Sequence, residues 1–150
     1  MGQSLAQNYI HIIFSVKNRK SLIHESIEQE LFQYIGGLCK NLESTPLEVG
    51  GYKNHIHILC ILSKKLPLAT LIQKVKSKSS KWIKPKGPEY KNFYWQNGYG
   101  AFSISSSKVE SFRSYIKKQK EHHQNMSFEE EYKDMLKENN VEFDARYIWD

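Results

Sequence analysis

The hydrophobic pattern changes period several times along the chain, and each change marks an element. Tyr9 to Val16 (Tyr-Ile-His-Ile-Ile-Phe-Ser-Val) is β-branched and aromatic and predicts a first strand. Ile27, Leu31, Tyr34, Ile35 and Leu38 then recur at helical spacing, and Ser26 with Gln29 has capping-box spacing. A helix is expected there to about Asn41, bent or loosened at Gly36-Gly37. Pro46 to Tyr52 predicts a short second strand. A turn at Lys53-Asn54 leads into His55-Ile56-His57-Ile58-Leu59-Cys60-Ile61-Leu62, whose nearly unbroken apolar character marks a buried strand. Pro67 opens a second helix with Leu68, Leu71, Ile72, Val75 and Trp82 on one side, and Pro85 and Pro88 end it. Asn92 to Gln96 and Ala101 to Ser105 read as strand segments around Asn97-Gly98-Tyr99-Gly100. A third helix is expected from Ser107, in a capping box with Glu110, through Val109, Phe112 and Ile116 to about Gln124. Ser127 and Glu130 cap a polar terminal helix ending near Asn139-Asn140, and Tyr147, Ile148 and Trp149 are apolar enough to dock on something.

The first six elements follow the order βαββαβ, which predicts an α+β, ferredoxin-like (RRM-like) sandwich with an antiparallel sheet. That fold leaves one sheet face free of helices, and the histidine strand, inside the sheet, would display its side chains there. The 150 residues suffice for one domain with one core, taken as about 8–124, followed by an acidic extension over about 125–150. No apolar run approaches the ~20 residues of a membrane span, and no secretory signal pattern opens the chain. Cys39 and Cys60 stand in apolar surroundings and suggest no disulfide framework. The expectation is a cytoplasmic, nucleoid-associated protein without membrane contact.

Charge alters the picture once it is divided. Residues 1–120 carry 19 Lys/Arg and 7 Asp/Glu, whereas residues 121–150 carry 3 and 9. A basic body with an acidic tail suggests a polyanion-binding surface and a terminal segment kept off it; a solubilising surface with an acidic helix is the plainer alternative. Lys74, Lys78 and Lys81 lie in a lysine-rich helix that could track phosphates, with Trp82 belonging to its apolar side. Arg19 and Lys20 follow the first strand, and Tyr90, Phe93, Tyr94 and Trp95 offer stacking surfaces, some of which must be core.

His55 and His57 project from the same strand face, a ready pair of metal ligands, although satisfied core histidines are commoner. Tyr115 and Gln119 are one helical turn apart, with His122 near them, and could approach the same site. Two imidazoles and an amide oxygen with open positions suit Mg²⁺ or Mn²⁺ better than a closed Zn²⁺ site. A nearby cation, the metal or Lys117 or Lys118, would favour the Tyr115 phenolate for attack on a phosphodiester. By spacing alone Tyr115 is a half-buried helix tyrosine, and His122-His123 a solvated helix end.

His55-Ile56-His57 resembles the HUH (His-hydrophobic-His) motif, and Ser-Tyr-Ile-Lys-Lys-Gln around Tyr115 and Gln119 resembles the catalytic helix of the small single-tyrosine HUH transposases. These are the enzymes of the smallest bacterial and archaeal insertion sequences, with domesticated relatives that act at repetitive extragenic palindromes. Phe14 to Arg19 and Trp95 to Ser103 extend the resemblance over roughly residues 8–124; a tail ending Arg146-Tyr147-Ile148-Trp149 is similar to many members. The resemblance implies a ferredoxin-like fold with a catalytic third helix. It implies a homodimer whose tyrosine helix meets the partner's histidine pair. It further implies cleavage and rejoining of single-stranded DNA at hairpins through a 5′-phosphotyrosine intermediate, with Mg²⁺ or Mn²⁺ and no nucleotide cofactor. By position Tyr115 would be the nucleophile and His55, His57 and Gln119 the metal ligands, while Arg19, Lys20, Lys74, Lys78, Lys81, Lys117 and Lys118 are candidate DNA contacts. Gly98, Gly100 and Ser103 to Ser107 would form a hinge for docking the helix in cis or trans. The alternative is a non-catalytic or domesticated single-stranded nucleic-acid-binding module on the same fold.

Overall fold

Residues His55–Leu62 form a strand buried on both faces over most of its length, so apart from its two histidines its sequence is a continuous apolar run. In the computed structural model, which describes residues 2–150, that strand is β3. It follows β1 (Asn8–Ser15), α1 (Glu25–Asn41) and β2 (Thr45–Tyr52), and precedes α2 (Leu68–Ile83) and β4 (Gly100–Ser103). Then come α3 (Val109–Lys117), α4 (Gln119–His122) and α5 (Phe128–Glu138). The antiparallel sheet has the order β2-β3-β1-β4, so each helical crossover leaves a middle strand, β1 or β3, and ends on an edge strand, β2 or β4. This is the expected ferredoxin-like sandwich.

Alternation along the middle strands divides the molecule. Ile12 and Phe14 of β1, with Ile56, Ile58 and Cys60 of β3, face α1 and α2 and join Leu31, Ile35, Leu71 and Val75 in the main core. His11, Ile13, His55 and His57 occupy the opposite face. That face is not open, as the sequence suggested: α3, α4 and α5 of the same chain cover it. Ile13 packs with Phe102 of β4 and with Phe128, Met135 and Leu136 of α5. The acidic extension is therefore a lid on the sheet and not a tail held away from it. Ser127 caps α5 by accepting a hydrogen bond from the Glu130 N–H at 3.1 Å, as its spacing predicts. The Trp149 ring packs tilted against Phe128 and edge-on to Tyr132, and the Trp149 carbonyl accepts from Gln96 Nε2 at 2.8 Å.

Other expectations change for local reasons. α1 starts at Glu25, where the His24 carbonyl accepts from the N–H groups of Ile27 and Glu28, so Ser26 is already helical and caps nothing. It runs unbroken through Gly36-Gly37, held by the buried Ile35 and Leu38 on the same face. Asn92 to Gln96 is not a strand: only Trp95 bridges to Val16, and the alternation there reflects Phe93 and Trp95 packing edge-on against each other and Trp95 against Phe14. β4 ends at Ser103. A 3₁₀ turn, Ser106–Lys108, then precedes α3, so Ser107 forms no capping box, and the helix breaks at Lys118.

Lys76 on α2 fastens the segment between α2 and β4. Its ammonium donates to the carbonyls of Gln96 (2.8 Å) and Gly98 (2.5 Å) beneath the Phe14 ring. Burial lowers its pKa from 10.5 to about 8. Between those values the unfolded chain holds the proton that the folded chain releases, so this lysine's contribution to stability rises with pH. Relative to Lys76→Met, the wild-type melting temperature is expected to increase as pH goes from about 8 to about 10.5. A pH-independent difference between the two proteins would contradict this.

Candidate active site

β3 places the two imidazoles. His57 pairs with Gly50 of β2 and Ile13 of β1, and His55 with Tyr52 and Ser15, so both stand above the middle of the sheet. Both are fully buried. One ring nitrogen of each is engaged away from the site centre: His55 Nδ1 lies 2.8 Å from Asn54 Oδ1, and His57 Nδ1 lies 2.8 Å from His11 Nε2. Asn54 Nδ2 donates to the Arg19 carbonyl at 3.3 Å, which orients the Asn54 oxygen toward His55. Outer partners of this kind fix the orientation of metal-binding histidines.

The Nε2 atoms point at groups brought by the C-terminal helices. Gln119, first residue of α4, sets Oε1 2.8 Å from His55 Nε2. Glu131 of α5 sets Oε1 3.2 Å from His57 Nε2 and 3.4 Å from His55 Nε2. His55, His57 and Glu131 each offer a ligand atom within 4.8 Å of the others, the one such His/Cys/Asp/Glu group among the described residues. Neighbouring ligands about 2.1 Å from one octahedral ion at right angles are separated by about 3.0 Å. The side chains present therefore fit a divalent cation. The His123 side chain, expected at a solvated helix end, is instead only 5% exposed between α4 and α5. Its Nε2 reaches Gln119 Oε1 (2.9 Å) and Glu131 Oε1 (3.0 Å), and its Nδ1 donates to the Met126 carbonyl at 2.6 Å.

Tyr115 lies on α3 beside this centre, its ring edge-on to His57 with centroids 5.8 Å apart. Its hydroxyl donates to Glu131 Oε2 and lies 3.4 Å from His122 Nε2. α3 can come this close because β2 has no side chain at Gly50: a Cβ there would stand 2.8 Å from Ile116 Cγ2 and 3.0 Å from the Ile116 carbonyl oxygen. A cavity of about 370 Å³ opens between α3 and α5, with Tyr115, His122, Glu131, Asp134 and Met135 on its wall.

Electrostatics here differ from the sequence expectation. Lys117 and Lys118 point to solvent, Lys117 lying 3.8 Å from Glu48, so neither promotes the phenolate. Burial, then the Glu131 charge, raises the Tyr115 pKa well above 10. Burial also opposes the Glu131 carboxylate, yet the surrounding imidazoles of His123, His55 and His57 hold its pKa well below the usual range. Burial lowers His55 to about 4 against the opposing pull of Glu131, so its ring is neutral at pH 7. His11 is pushed well down by burial and by the neighbouring His57.

Of the residues singled out from sequence, Tyr115, His55, His57 and Gln119 meet at one place. Arg19 adjoins it through Asn54, its guanidinium resting 4.9 Å from the Trp149 ring centre, and Lys20 follows it as an exposed residue. Lys74, Lys78 and Lys81 are exposed on α2, in the helical layer on the other side of the sheet. Within the expected hinge, Gly100 opens β4, paired with Ile13, and a Cβ there would press on Ile13 Cγ2 at 2.9 Å. Gly98, with φ +85° and open space around it, keeps that freedom.

Sequence reading missed Glu131, His11 and His123. The signal for Glu131 was a carboxylate in register with Phe128 and Met135, the apolar stripe of α5.

The sequence model of the IS200-like transposases matches residues 4–119. No curated protein matches the chain. Among solved structures, a Deinococcus radiodurans protein assigned as a transposase superposes with a TM-score of 0.62 at 14% identity, over 79% of this chain and 96% of that one. A REP-associated tyrosine transposase bound to a REP hairpin superposes with a TM-score of 0.59 at 13% identity, over 82% of this chain and 73% of that one.

Proposed function

The chain belongs to the IS200-like transposase family, and from that premise we propose that it cuts and rejoins single-stranded DNA through Tyr115. The observation that carries this reading is the meeting of Tyr115 with His55, His57 and Gln119 at one buried centre, from three separate elements. Tyr115 Oη attacks a phosphorus; the P–O bond to the 3′ oxygen breaks, a 3′-hydroxyl leaves, and the 5′ side stays on the protein as phosphotyrosine. A second 3′-hydroxyl reverses the exchange and frees the tyrosine. One phosphodiester is traded for another ester of similar energy, so no nucleotide cofactor is needed.

Mg²⁺ or Mn²⁺ would be held by His55, His57 and Gln119 and would polarise the phosphodiester and offset charge on its oxygens. The buried Glu131 carboxylate beside Tyr115 supports such a cation, because it would otherwise repel a phosphate. Arg19, Lys20, Lys117 and Lys118, on elements adjoining the centre, are proposed to contact the strand being cut. Lys74, Lys78 and Lys81 can serve only DNA that reaches the far layer, such as a hairpin stem. Hairpin DNA as the partner is supported by the hairpin bound to the structural relative.

The resemblance also implies a homodimer with sites shared between subunits. The seat of α3 on Gly50 of its own β2 supports instead a site completed within one chain. The proposal is tested by incubating the protein with labelled single-stranded DNA from the flanks of its gene and Mn²⁺, then running a denaturing gel. A protein-sized labelled band, lost with EDTA, is expected. DNA that binds, contains the true ends and yields no adduct would leave the binding-module reading.

A further inference from the structure

Glu131 stands outside the matched family region, on the terminal helix, yet its carboxylate is 2% exposed at the centre of the site. Its close partners that can carry positive charge are all imidazoles, His55, His57, His122 and His123; among the described residues no lysine or arginine pairs with it. A buried carboxylate requires compensating positive charge. The tautomers show where that charge belongs. The Met126 carbonyl can only accept, so His123 Nδ1 carries a proton, and the oriented Asn54 oxygen likewise calls for a proton on His55 Nδ1. With Nδ1 so engaged, His55 aims its Nε2 lone pair at Gln119 Oε1 and Glu131 Oε1, themselves acceptors, at 2.8 and 3.4 Å. Electron pairs converging from nitrogen and oxygen are compatible when a cation sits between them.

We propose that Glu131 is a ligand of the divalent ion through Oε1 and, through Oε2, the residue that positions the nucleophilic hydroxyl of Tyr115. Gln119 is tied into the same unit, since its Nε2 donates to Glu131 Oε2 at 2.9 Å while its Oε1 faces the centre. One carboxylate thus links the ion to the nucleophile, and α5 becomes part of the active site. The carboxylate adds a negative charge to a set of two imidazoles and an amide oxygen, a mixture that suits Mn²⁺. This rests on the metal-dependent reading of the site.

The test is calorimetric titration of the full chain with Mn²⁺ alone, for wild type, Glu131→Gln, Glu131→Ala, His57→Ala and Asp134→Asn. Circular dichroism and melting in EDTA would establish that each variant folds. Asp134 is an exposed carboxylate on the neighbouring cavity wall and controls for lost charge. Loss of Glu131 is expected to weaken Mn²⁺ by more than the ~10–100-fold that follows loss of an outer partner, as His57→Ala does, with Asp134→Asn unchanged. The Mn²⁺ electron spin resonance spectrum should change with Glu131→Gln and not with Asp134→Asn. Wild-type affinity in both folded Glu131 variants, alongside a loss in His57→Ala, would overturn the inference and leave the metal reading standing. Failure of the wild type itself to bind Mn²⁺ would overturn both.

Discussion

Tyr115→Phe is expected to abolish the covalent protein–DNA adduct while single-stranded DNA binding stays within about twofold. The loss should be at least four orders of magnitude, on the order of what removal of a covalent nucleophile costs elsewhere. The ring remains against His57 and Phe112, so packing is kept and only the hydroxyl is lost. Glu131 Oε2 still accepts from Gln119, so the deletion leaves no orphaned carboxylate, and the melting temperature should move by only a few degrees. Mixing Tyr115→Phe with His57→Ala then separates the two arrangements of the site. With Tyr115 seated against the histidines of its own chain, the mixture should remain inactive. Restored adduct would show that α3 leaves this seat and serves a partner. An adduct formed by Tyr115→Phe alone would remove Tyr115 from the chemistry.

Much of this site was legible because its parts obey local periodicities. The period of two in β3 puts His55 and His57 on one face, and the helical turn from Tyr115 to Gln119 survives even though the helix breaks at Lys118. The element order was likewise enough to give the sheet order, since βαββαβ with right-handed crossovers leaves few topologies. What escaped were meetings between elements far apart in sequence. His11 and Glu131 both touch His57, yet neither periodicity nor spacing relates them. The charge division misled for a physical reason: nine acidic residues suggested an excluded tail, whereas one of them lies within an apolar stripe and is drawn inside. Phe93 and Trp95 mimicked a strand because alternate burial arises wherever an extended segment packs on a core. The phenolate argument failed at Lys117, whose sequence proximity to Tyr115 is undone by the helix: two residues on, it points away toward Glu48.

Gly50→Val should disable the enzyme without touching any group that performs chemistry. The position lies on β2 opposite His57, and what a new side chain meets is helix backbone, the Ile116 carbonyl oxygen at 3.0 Å as well as Cγ2 at 2.8 Å. A side chain can rotate away; a hydrogen-bonded helix has to be displaced as a body. Overpacking of this kind typically costs about 1–3 kcal/mol, which a sheet anchored on its other face by α1 and α2 can absorb. The displaced residue next to Ile116 is Tyr115, and a shift of about 1 Å in a reacting group can cost about 100-fold in rate. Adduct formation should therefore fall about 100-fold, while circular dichroism and DNA binding stay close to wild type. Adding Ile116→Ala removes the Cγ2 clash but not the carbonyl contact, so it should restore activity in part. Gly36→Ala is the matching control: its Cβ would meet only Val49 Cγ2, at an ordinary 3.9 Å, and helix propensity there favours alanine. Full activity in Gly50→Val would mean that the close seat of α3 on β2 is not the working position of the tyrosine helix. That result, with activity restored by mixing the Tyr115 and His57 variants, would establish that the helix works in trans.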